Sequence, residues 1–237
     1  MKPYYQDDLV TLFHGDCLEI TEWLEADVLV TDPPYGMSYE SGRVKDRPSQ
    51  AIANDESVSV RNLVLELWGD KPAIAFGKWS VQRPANVRAR LIWSKGDDPG
   101  MGDLNFPWGN SDEEIYVFGS GFVGKRGPNV ITCQKPPVNN RPDHPTPKPI
   151  PLMERLIEKC PPGVIADPFA GSGSTLIAAV NQGRRAIGVE LEERYCELIA
   201  KRLSSQTMTL DFREDGVTVF PTYHFCRCGH QRYQHNG

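Results

Sequence analysis

The sequence predicts an α/β fold with a doubly wound, mostly parallel sheet, on three observations. Short apolar runs alternate with helical segments along most of the 237 residues, as in consecutive βαβ units. Some runs, such as ADVLVTD at 26–32, have a continuous apolar centre, as expected of strands buried on both faces. At 163–175, GVIADPFAGSGST leads from a strand through a tight glycine turn into a helix.

The first third of the chain predicts two strands and two helices. Residues 9–16 form a strand that ends in an acid, and residues 18–26 form a helix because their apolar residues have helical spacing. The buried strand at 26–32 follows. After an aperiodic polar loop, residues 59–69 form a second helix, which ends at a glycine. The apolar stripe of this helix consists of Val60, Leu63, Val64 and Leu67.

The middle of the chain predicts three more strands, at 72–77, 90–95 and 114–119. Residues 119–149 are rich in Gly, Pro and Asn and read as irregular, and a helix follows at 150–160.

The last third predicts strand, glycine turn and helix over 163–183, a strand at 184–191 and an amphipathic helix at 192–204. The tail, residues 205–237, does not continue this alternation of strands and helices. We therefore expect one domain over 1–204 with a C-terminal tail.

Composition favours a folded, cytoplasmic protein. The chain is 39% hydrophobic and 24% charged, which argues for a core and against disorder. No apolar run approaches the length of a membrane span, and the first residues lack the apolar core of a signal peptide. The six scattered cysteines are expected to be thiols.

Charge is unevenly distributed around a net charge of −5. Residues 1–36 hold one Lys or Arg against eight Asp or Glu, whereas residues 43–95 hold ten against five. The basic segment fits either a local contact with a polyanion or a solvated basic face.

The glycine turn predicts a site for a cofactor that carries a ribose. Gly171 and Gly173 allow close backbone approach, and Glu190, 17 residues after Gly173, stands where an acid holds ribose hydroxyls. Leu176 replaces the third glycine of the dinucleotide pattern, and Asp167 would repel a phosphate. A cationic cofactor such as a sulfonium with an α-amino group suits this turn; the alternative is a plain turn after a buried strand.

The tetrapeptide Asp32-Pro33-Pro34-Tyr35 ends the strand at 26–32 in a stiff, extended tip, because neither proline can donate to a strand ladder. The tip presents a carboxylate, prolyl carbonyls and an aromatic ring.

Five motifs together resemble the amino-methylating, S-adenosylmethionine-dependent DNA methyltransferases. They are GDCLE (15–19), TDPPYG (31–36), HPTPKP (144–149), DPFAGSG (167–173) and VEL (189–191). DPPY precedes the glycine turn, as in the permuted β-group of that family, and the resemblance covers about residues 9–204. It implies a Rossmann-like methyltransferase fold with that motif order, and a small sequence-recognition insert at about 119–143.

The resemblance also implies roles for the tip. Asp32 and the carbonyl of Pro33 accept hydrogen bonds from an exocyclic amine and free its lone pair for methylation, Pro34 stiffens the tip, and Tyr35 stacks on the target base. The partner is double-stranded DNA with the target base flipped out, because a stacked base cannot reach such a tip.

For the cofactor, S-adenosylmethionine, the resemblance assigns seven further positions besides Glu190 at the ribose. Asp16 accepts from the adenine amine or, alternatively, is a helix N-cap. Lys148 contacts the cofactor carboxylate or lies in a surface loop. The full set is Asp16, Asp167 (at the ammonium), Phe169, Gly171 and Gly173 (along the methionine), Thr146, Lys148 and Glu190.

Basic residues in two loops are candidate DNA contacts, with a solvated loop as the alternative. They are Arg43, Lys45, Arg47, Lys125 and Arg126. In the tail, four Cys and His residues are a candidate zinc clip with unusually tight spacing, and a plain polar tail is favoured over it. They are Cys226, Cys228, His230 and His235.

Methylation of adenine N6 is the leading hypothesis and methylation of cytosine N4 the alternative. Asp at position 32, where cytosine-N4 relatives more often carry Ser, favours adenine. Two other functions remain alternatives: a nicotinamide oxidoreductase and a non-catalytic DNA-binding module. The sequence does not determine the recognition sequence, whether a partner restriction enzyme exists, or whether the protein is a homodimer.

Overall fold

A computed structural model describes residues 1–34, 59–97, 105–135 and 147–205 in full, together with the backbone of 208–213 and 216–221. A nine-stranded mixed sheet forms the centre of the fold. Its strands are β1 (Tyr5–Gln6), β2 (Val10–His14), β3 (Val28–Thr31), β4 (Ala73–Gly77), β5 (Ala89–Ser94), β6 (Asp112–Phe118), β7 (Val130–Thr132), β8 (Ile165–Asp167) and β9 (Ala186–Glu190). The α-helices within the described residues are α1 (Ser59–Trp68), α2 (Ile150–Ile157), α3 (Ser174–Asn181) and α4 (Glu193–Ser204).

The strand order is β1-β2-β9-β8-β3-β4-β6-β5-β7. The strands β2, β9, β8, β3 and β4 are neighbours and run parallel, whereas β6 is antiparallel to both β4 and β5. We call the edge at which the five parallel strands end the carboxyl edge, and the opposite one the amino edge. The DPPY strand β3 comes long before the glycine-turn strand β8 in the chain and pairs directly with it.

Helices cover both faces of the sheet, so the predicted doubly wound α/β class is confirmed. Alternate residues of the buried strands feed two clusters: Val28 and Val30 of β3 join the residues of α2, α3 and α4, while Leu29 faces Trp23 and α1. The apolar side chains of β3, within the run at 26–32, are therefore buried on both faces of the sheet, as predicted.

The predicted helix at 18–26 is wrong in extent, because only a 3₁₀ turn at Glu22–Glu25 forms. The Asp16 carboxylate accepts from the backbone N–H of Leu18, and the Trp23 indole N–H donates to the carbonyl of Cys17. These local bonds satisfy the backbone in a tight turn that competes with a helix.

The helix α1 forms as predicted, but its predicted apolar stripe is only partly right. Val64 is buried, whereas Leu63 and Leu67 are 45% and 51% exposed. The helix instead turns Trp68 inward, where its ring stacks on Trp23 at a centroid distance of 5.9 Å. Burial of two large aromatic rings outweighs burial of two leucines.

Three regions contain strands that the sequence pattern did not predict. The first is β1, which pairs in the antiparallel direction with β2. The segment 119–149 includes β7, which pairs in parallel with β5. The tail forms an antiparallel hairpin of β10 (Met208–Arg213) and β11 (Gly216–Pro221), a two-stranded sheet of its own. The proposed domain boundary after residue 204 stays a prediction.

The four cysteines within the described residues are not joined to one another by disulfides. In the same part of the chain, each helix is too short or too polar to cross a bilayer.

Candidate active site at the carboxyl edge

Four acidic residues line the carboxyl edge on four neighbouring strands. Asp16 follows β2, Glu190 ends β9, Asp167 ends β8 and Asp32 follows β3. Since adjacent strands lie roughly 4.8 Å apart, the parallel order places the predicted cofactor residues next to the predicted catalytic carboxylate. Such an edge is where open α/β sheets bind their ligands.

The glycine turn connects β8 to α3 and folds over the end of β9. The N–H of Ala170 donates to the carbonyl of Val189, and the N–H of Gly171 donates to Glu190 Oε2 at 2.7 Å. Gly171 and Gly173 have φ values of 51° and 80°, in the left-handed region that favours glycine. A Cβ on Gly173 would lie 2.9 Å from Ile199 of α4, so this glycine is required for helix packing as well as for the turn.

Glu190 is a buried carboxylate held, within the described residues, by two backbone donors. Besides the N–H of Gly171, it accepts from the N–H of Glu192 at 2.9 Å. Burial raises the pKa of Glu190 to about 7. Each carboxylate oxygen keeps a second lone pair, so hydroxyl donors such as those of a ribose would favour the ionised form.

Asp167 joins the catalytic strand to the glycine turn. Its Oδ1 accepts from the Thr31 hydroxyl at 2.7 Å and from the N–H of Phe169 at 3.1 Å. Burial raises the pKa of this carboxyl to about 6. A buried acid with a raised pKa would gain from a nearby cation, and its predicted contact with the cofactor ammonium stays a prediction. The ring of Phe169 is half-buried beside it.

The hydrogen bond of Asp16 resembles that of a helix N-cap, the alternative to a cofactor contact. Asp16 Oδ1 accepts from the backbone N–H of Leu18 at 2.9 Å, as a capping carboxylate does, although the turn does not continue into an α-helix. A contact with the adenine amine stays a prediction.

Asp32 is fixed by Lys148, a contact that the sequence did not predict. The Lys148 ammonium donates to Asp32 Oδ2 at 2.5 Å, and its side chain is only 6% exposed. The surface-loop alternative for Lys148 is therefore wrong, because Lys148, which lies inside HPTPKP just before α2, is buried. The interaction of Lys148 with the cofactor carboxylate stays a prediction.

Two further charged residues extend this contact. Lys148 Nζ lies 3.2 Å from Glu113 Oε2, and Lys95 Nζ lies 2.8 Å from Glu113 Oε1. Glu113 is near the start of β6 and Lys95 directly follows β5, which brings both to the carboxyl edge. No local sequence pattern connects these residues with Asp32.

Several predicted site residues lie outside the described residues. They are Tyr35, Arg43, Lys45, Arg47, Thr146, Cys226, Cys228, His230 and His235. Within the described residues, no group of three or more His, Cys, Asp or Glu is placed to hold a metal ion.

Lys125 and Arg126 are not brought to the candidate active site. Because β6 is antiparallel to β4, it ends at the amino edge, and the chain continues there. Lys159, just beyond α2, anchors this segment by donating from Nζ to the carbonyl of Lys125 at 2.9 Å. These two cations therefore lie at the opposite edge of the sheet from Asp32.

Part of the basic segment 43–95 has a structural partner. Arg83 and Arg90 both form ion pairs with the buried carboxylate of Glu114, at 2.7 and 3.0 Å. Two of the positive charges in this segment are therefore paired with Glu114, so the excess of basic residues overstates the charge that could bind a polyanion.

The carboxyl edge also carries exposed aromatic rings that the sequence did not single out. Trp79 follows β4 and is 63% exposed, and Trp108 lies in the connection from β5 to β6 and is 74% exposed. Phe106 packs edge-to-face on Trp108 at a centroid distance of 5.5 Å. Exposed rings beside a row of acids form a surface suited to stacking.

Comparison with known proteins agrees with this geometry. The profile of a family described as DNA methylase matches residues 77–202, which is more than half of the chain. The chain belongs to the DNA methylase family. This methylase is 29% identical over 269 residues to the type II methyltransferase M.ScaI of Streptomyces caespitosus, covering 88% of this chain and 86% of that protein.

Solved structures share the fold of the methylase. The PvuII DNA methyltransferase, described as cytosine-N4-specific, aligns with a TM-score of 0.61 and 17% identity over 85% of this chain and 88% of its own. The M1.HpyAVI–SAM complex aligns with a TM-score of 0.58 and 21% identity over 82% of this chain and 99% of its own.

Proposed function

We propose that this DNA methylase transfers the methyl group of S-adenosylmethionine to the N6 amine of adenine in double-stranded DNA. The observation that carries the proposal is the position of Asp32, which stands in the row of acids at the carboxyl edge, directly beside Asp167 and the glycine turn. An acceptor for an amine and a pocket for a cationic cofactor thus share one edge.

The residues present suit S-adenosylmethionine. Glu190 offers a buried acceptor to ribose hydroxyls, Asp167 offers a buried carboxyl to an ammonium, and Phe169 offers a half-buried ring. When bound, the cofactor would supply a methyl group on a positively charged sulfur: the amine lone pair forms the N–C bond, the sulfur keeps the electrons of the broken S–C bond, and one amine proton leaves to solvent.

The tip residues prepare the amine. Asp32 and the Pro33 carbonyl accept its two N–H groups, which withdraws the nitrogen lone pair from conjugation with the ring. The amine then meets fixed acceptors, which removes part of the entropic cost of the reaction. Tyr35, which lies outside the described residues, is assigned to stack on the flipped base.

Adenine is favoured over cytosine by the charge at position 32. The adenine N6 amine is a weak nucleophile, and a charged acceptor forms the stronger hydrogen bond to it. The ion pair with Lys148 places a positive charge directly beside Asp32. Cytosine N4 presents similar donors and is the alternative, in line with the specificity printed for the PvuII enzyme.

The product nucleoside decides between the two amines. We expect DNA from a methylation-free host that expresses the protein to yield N6-methyladenine after digestion and mass spectrometry. The Asp32→Ala variant in the same host is the control for background. N4-methylcytosine without N6-methyladenine would overturn the assignment to adenine, and neither product would overturn the proposed activity.

The exposed rings predict where DNA docks. We expect Trp108→Ala to weaken DNA binding by roughly one stacking contact, or ~5- to 100-fold in Kd, because a base that leaves the duplex stack can pack on an exposed aromatic ring. Fluorescence anisotropy with a labelled duplex measures this loss.

The double variant Lys125→Ala with Arg126→Ala is the matched comparison, because both cations lie at the amino edge. We expect it to leave the Kd and the salt dependence nearly unchanged, whereas each lost phosphate contact would flatten the salt slope by roughly one. Weaker binding by this variant together with unchanged binding by Trp108→Ala would place the DNA on the amino edge.

A further inference from the structure

A chain of four alternating charges lies at the carboxyl edge. It runs from Asp32 through Lys148 and Glu113 to Lys95, with N–O distances of 2.5, 3.2 and 2.8 Å. Two carboxylates and two ammonium groups have a net charge of zero. Lys148 and Lys95 are almost fully buried, so water screens their interactions only weakly.

We propose that Lys148, held between Asp32 and Glu113, is a positioning residue that fixes Asp32 as the charged acceptor for the substrate amine. This inference rests on the proposed function, in which Asp32 contacts the amine. Lys148 itself acts through Asp32 and occupies one oxygen of that carboxylate, Oδ2. The carboxylate then has a defined direction from which to accept the amine N–H.

The need for such a cation follows from the neighbours of Asp32. Asp167 on β8 is close enough for the charge of Asp32 to raise the pKa of Asp167. Without Lys148, two carboxylates on adjacent strands would repel each other, and the pKa of Asp32 would rise with it. A protonated Asp32 would present a donor where the reaction requires an acceptor.

Glu113 and Lys95 keep Lys148 in place. Burial alone would lower the pKa of Lys148, but Asp32 and Glu113 raise it above its ordinary value, so the ammonium persists. Burial alone would likewise raise the pKa of Glu113, but Lys148 and Lys95 lower it. The ring of Phe76 on β4 packs 4.9 Å from Lys148 Nζ and excludes water from one side.

The same residue connects the acceptor to the cofactor turn. The backbone carbonyl of Lys148 accepts from the Ser174 hydroxyl at 2.8 Å, and Ser174 is the first residue of α3 after the glycine turn. Lys148 is thus joined through its backbone to the cofactor side and through its side chain to the amine side. A movement of α3 would be transmitted to the direction of the Asp32 carboxylate.

The test is the pH profile of kcat for Lys148→Met. Activity requires ionised Asp32, so kcat rises with pH through the pKa of that carboxyl. Within the described residues, the charged groups around it are Lys148 from the segment before α2, Asp167 from β8, and Glu113 and Lys95 behind Lys148. Removal of the cation should move the acid limb of the profile to higher pH by about one to three units. At neutral pH, kcat should fall about 10- to 100-fold while KM for the cofactor changes little.

A second substitution separates charge from structure. In Glu113→Gln with Lys148→Met, one negative charge leaves with the positive one, so the acid limb should return part of the way toward the wild-type position. Lys148→Arg retains the cation and should keep the acid limb near the wild-type position, even if its bulk lowers kcat. If Lys148→Met alone does not fold, the acid limbs of these two variants provide the test.

Lys71→Met is the matched control. Lys71 is also a partly buried lysine, but it donates to the carbonyls of Leu24 and Ala26 at the amino edge. We expect this variant to lose stability without a shift of the acid limb. A wild-type acid limb in Lys148→Met, or a double variant shifted further than the single one, would overturn the positioning role. Full turnover by Asp32→Ala would instead overturn the proposed function itself.

Discussion

Replacement of Asp32 by alanine is expected to abolish methyl transfer, with kcat reduced by about 10³-fold or more. In the proposed mechanism, Asp32 is the charged acceptor of the amine N–H. The ion pair with Lys148, at 2.5 Å, fixes the direction of its carboxylate. The alanine variant leaves the amine lone pair in conjugation with the ring. Cofactor affinity should change little, because Glu190 and the glycine turn retain their own contacts.

Single-turnover methylation of a duplex and calorimetry with the cofactor measure the two effects separately. Asp32→Asn should recover part of the lost rate, since its amide oxygen is a neutral acceptor of nearly the same shape. Asp70→Asn, at an exposed position just before β4, is the matched control and should behave as wild type. Wild-type turnover by Asp32→Ala would remove this carboxylate from the mechanism.

The parallel core of the fold could be predicted because its signal is local. A strand buried on both faces must be apolar throughout, and the runs at 26–32 and 72–77 meet that condition over β3 and β4. In contrast, the segment 18–26 has helical spacing but forms only a 3₁₀ turn. There the contacts of Asp16 and Trp23 outweigh a weak helical preference.

The row of acids could also be predicted, since each member ends a strand or lies within two residues of its end, and parallel strands end together. The partners of Asp32 could not. Lys148 is 116 residues away in sequence from Asp32. Their contact depends on where the segment before α2 turns inward. Glu113 reaches the site only because β6 is paired with β4 in the antiparallel direction.

That strand direction also explains why Lys125 and Arg126 lie away from Asp32, while their contact with DNA stays a prediction. Their segment follows β6, and a parallel β6 would have delivered it to the carboxyl edge. The antiparallel β6 delivers it to the amino edge instead, where Lys159 anchors it. A run of strand residues predicts a strand but not its direction when the connection on either side is irregular.

Cofactor affinity is expected to depend on pH through Glu190 and Asp167. Burial raises their pKa values to about 7 and about 6, so both are partly protonated near neutral pH in the free protein. Ribose hydroxyls and an ammonium favour the ionised forms, so binding should release protons. Affinity should therefore fall as the pH decreases from about 8 to about 6, and Glu190→Gln should weaken binding by ~10- to 100-fold, the value of a hydrogen bond to a charged group.

Calorimetry in buffers of different ionisation enthalpy measures both the affinity and the number of protons released. In Glu190→Gln, the pH dependence near pH 7 should disappear and only the lower step, from Asp167, should remain. Glu197→Gln on α4 is the matched control, because its carboxylate is exposed and pairs with Lys201 at 2.7 Å. If wild-type affinity is flat across this range, neither buried acid changes its ionisation on binding, and the proposed contacts of Glu190 with the ribose and of Asp167 with the ammonium are wrong.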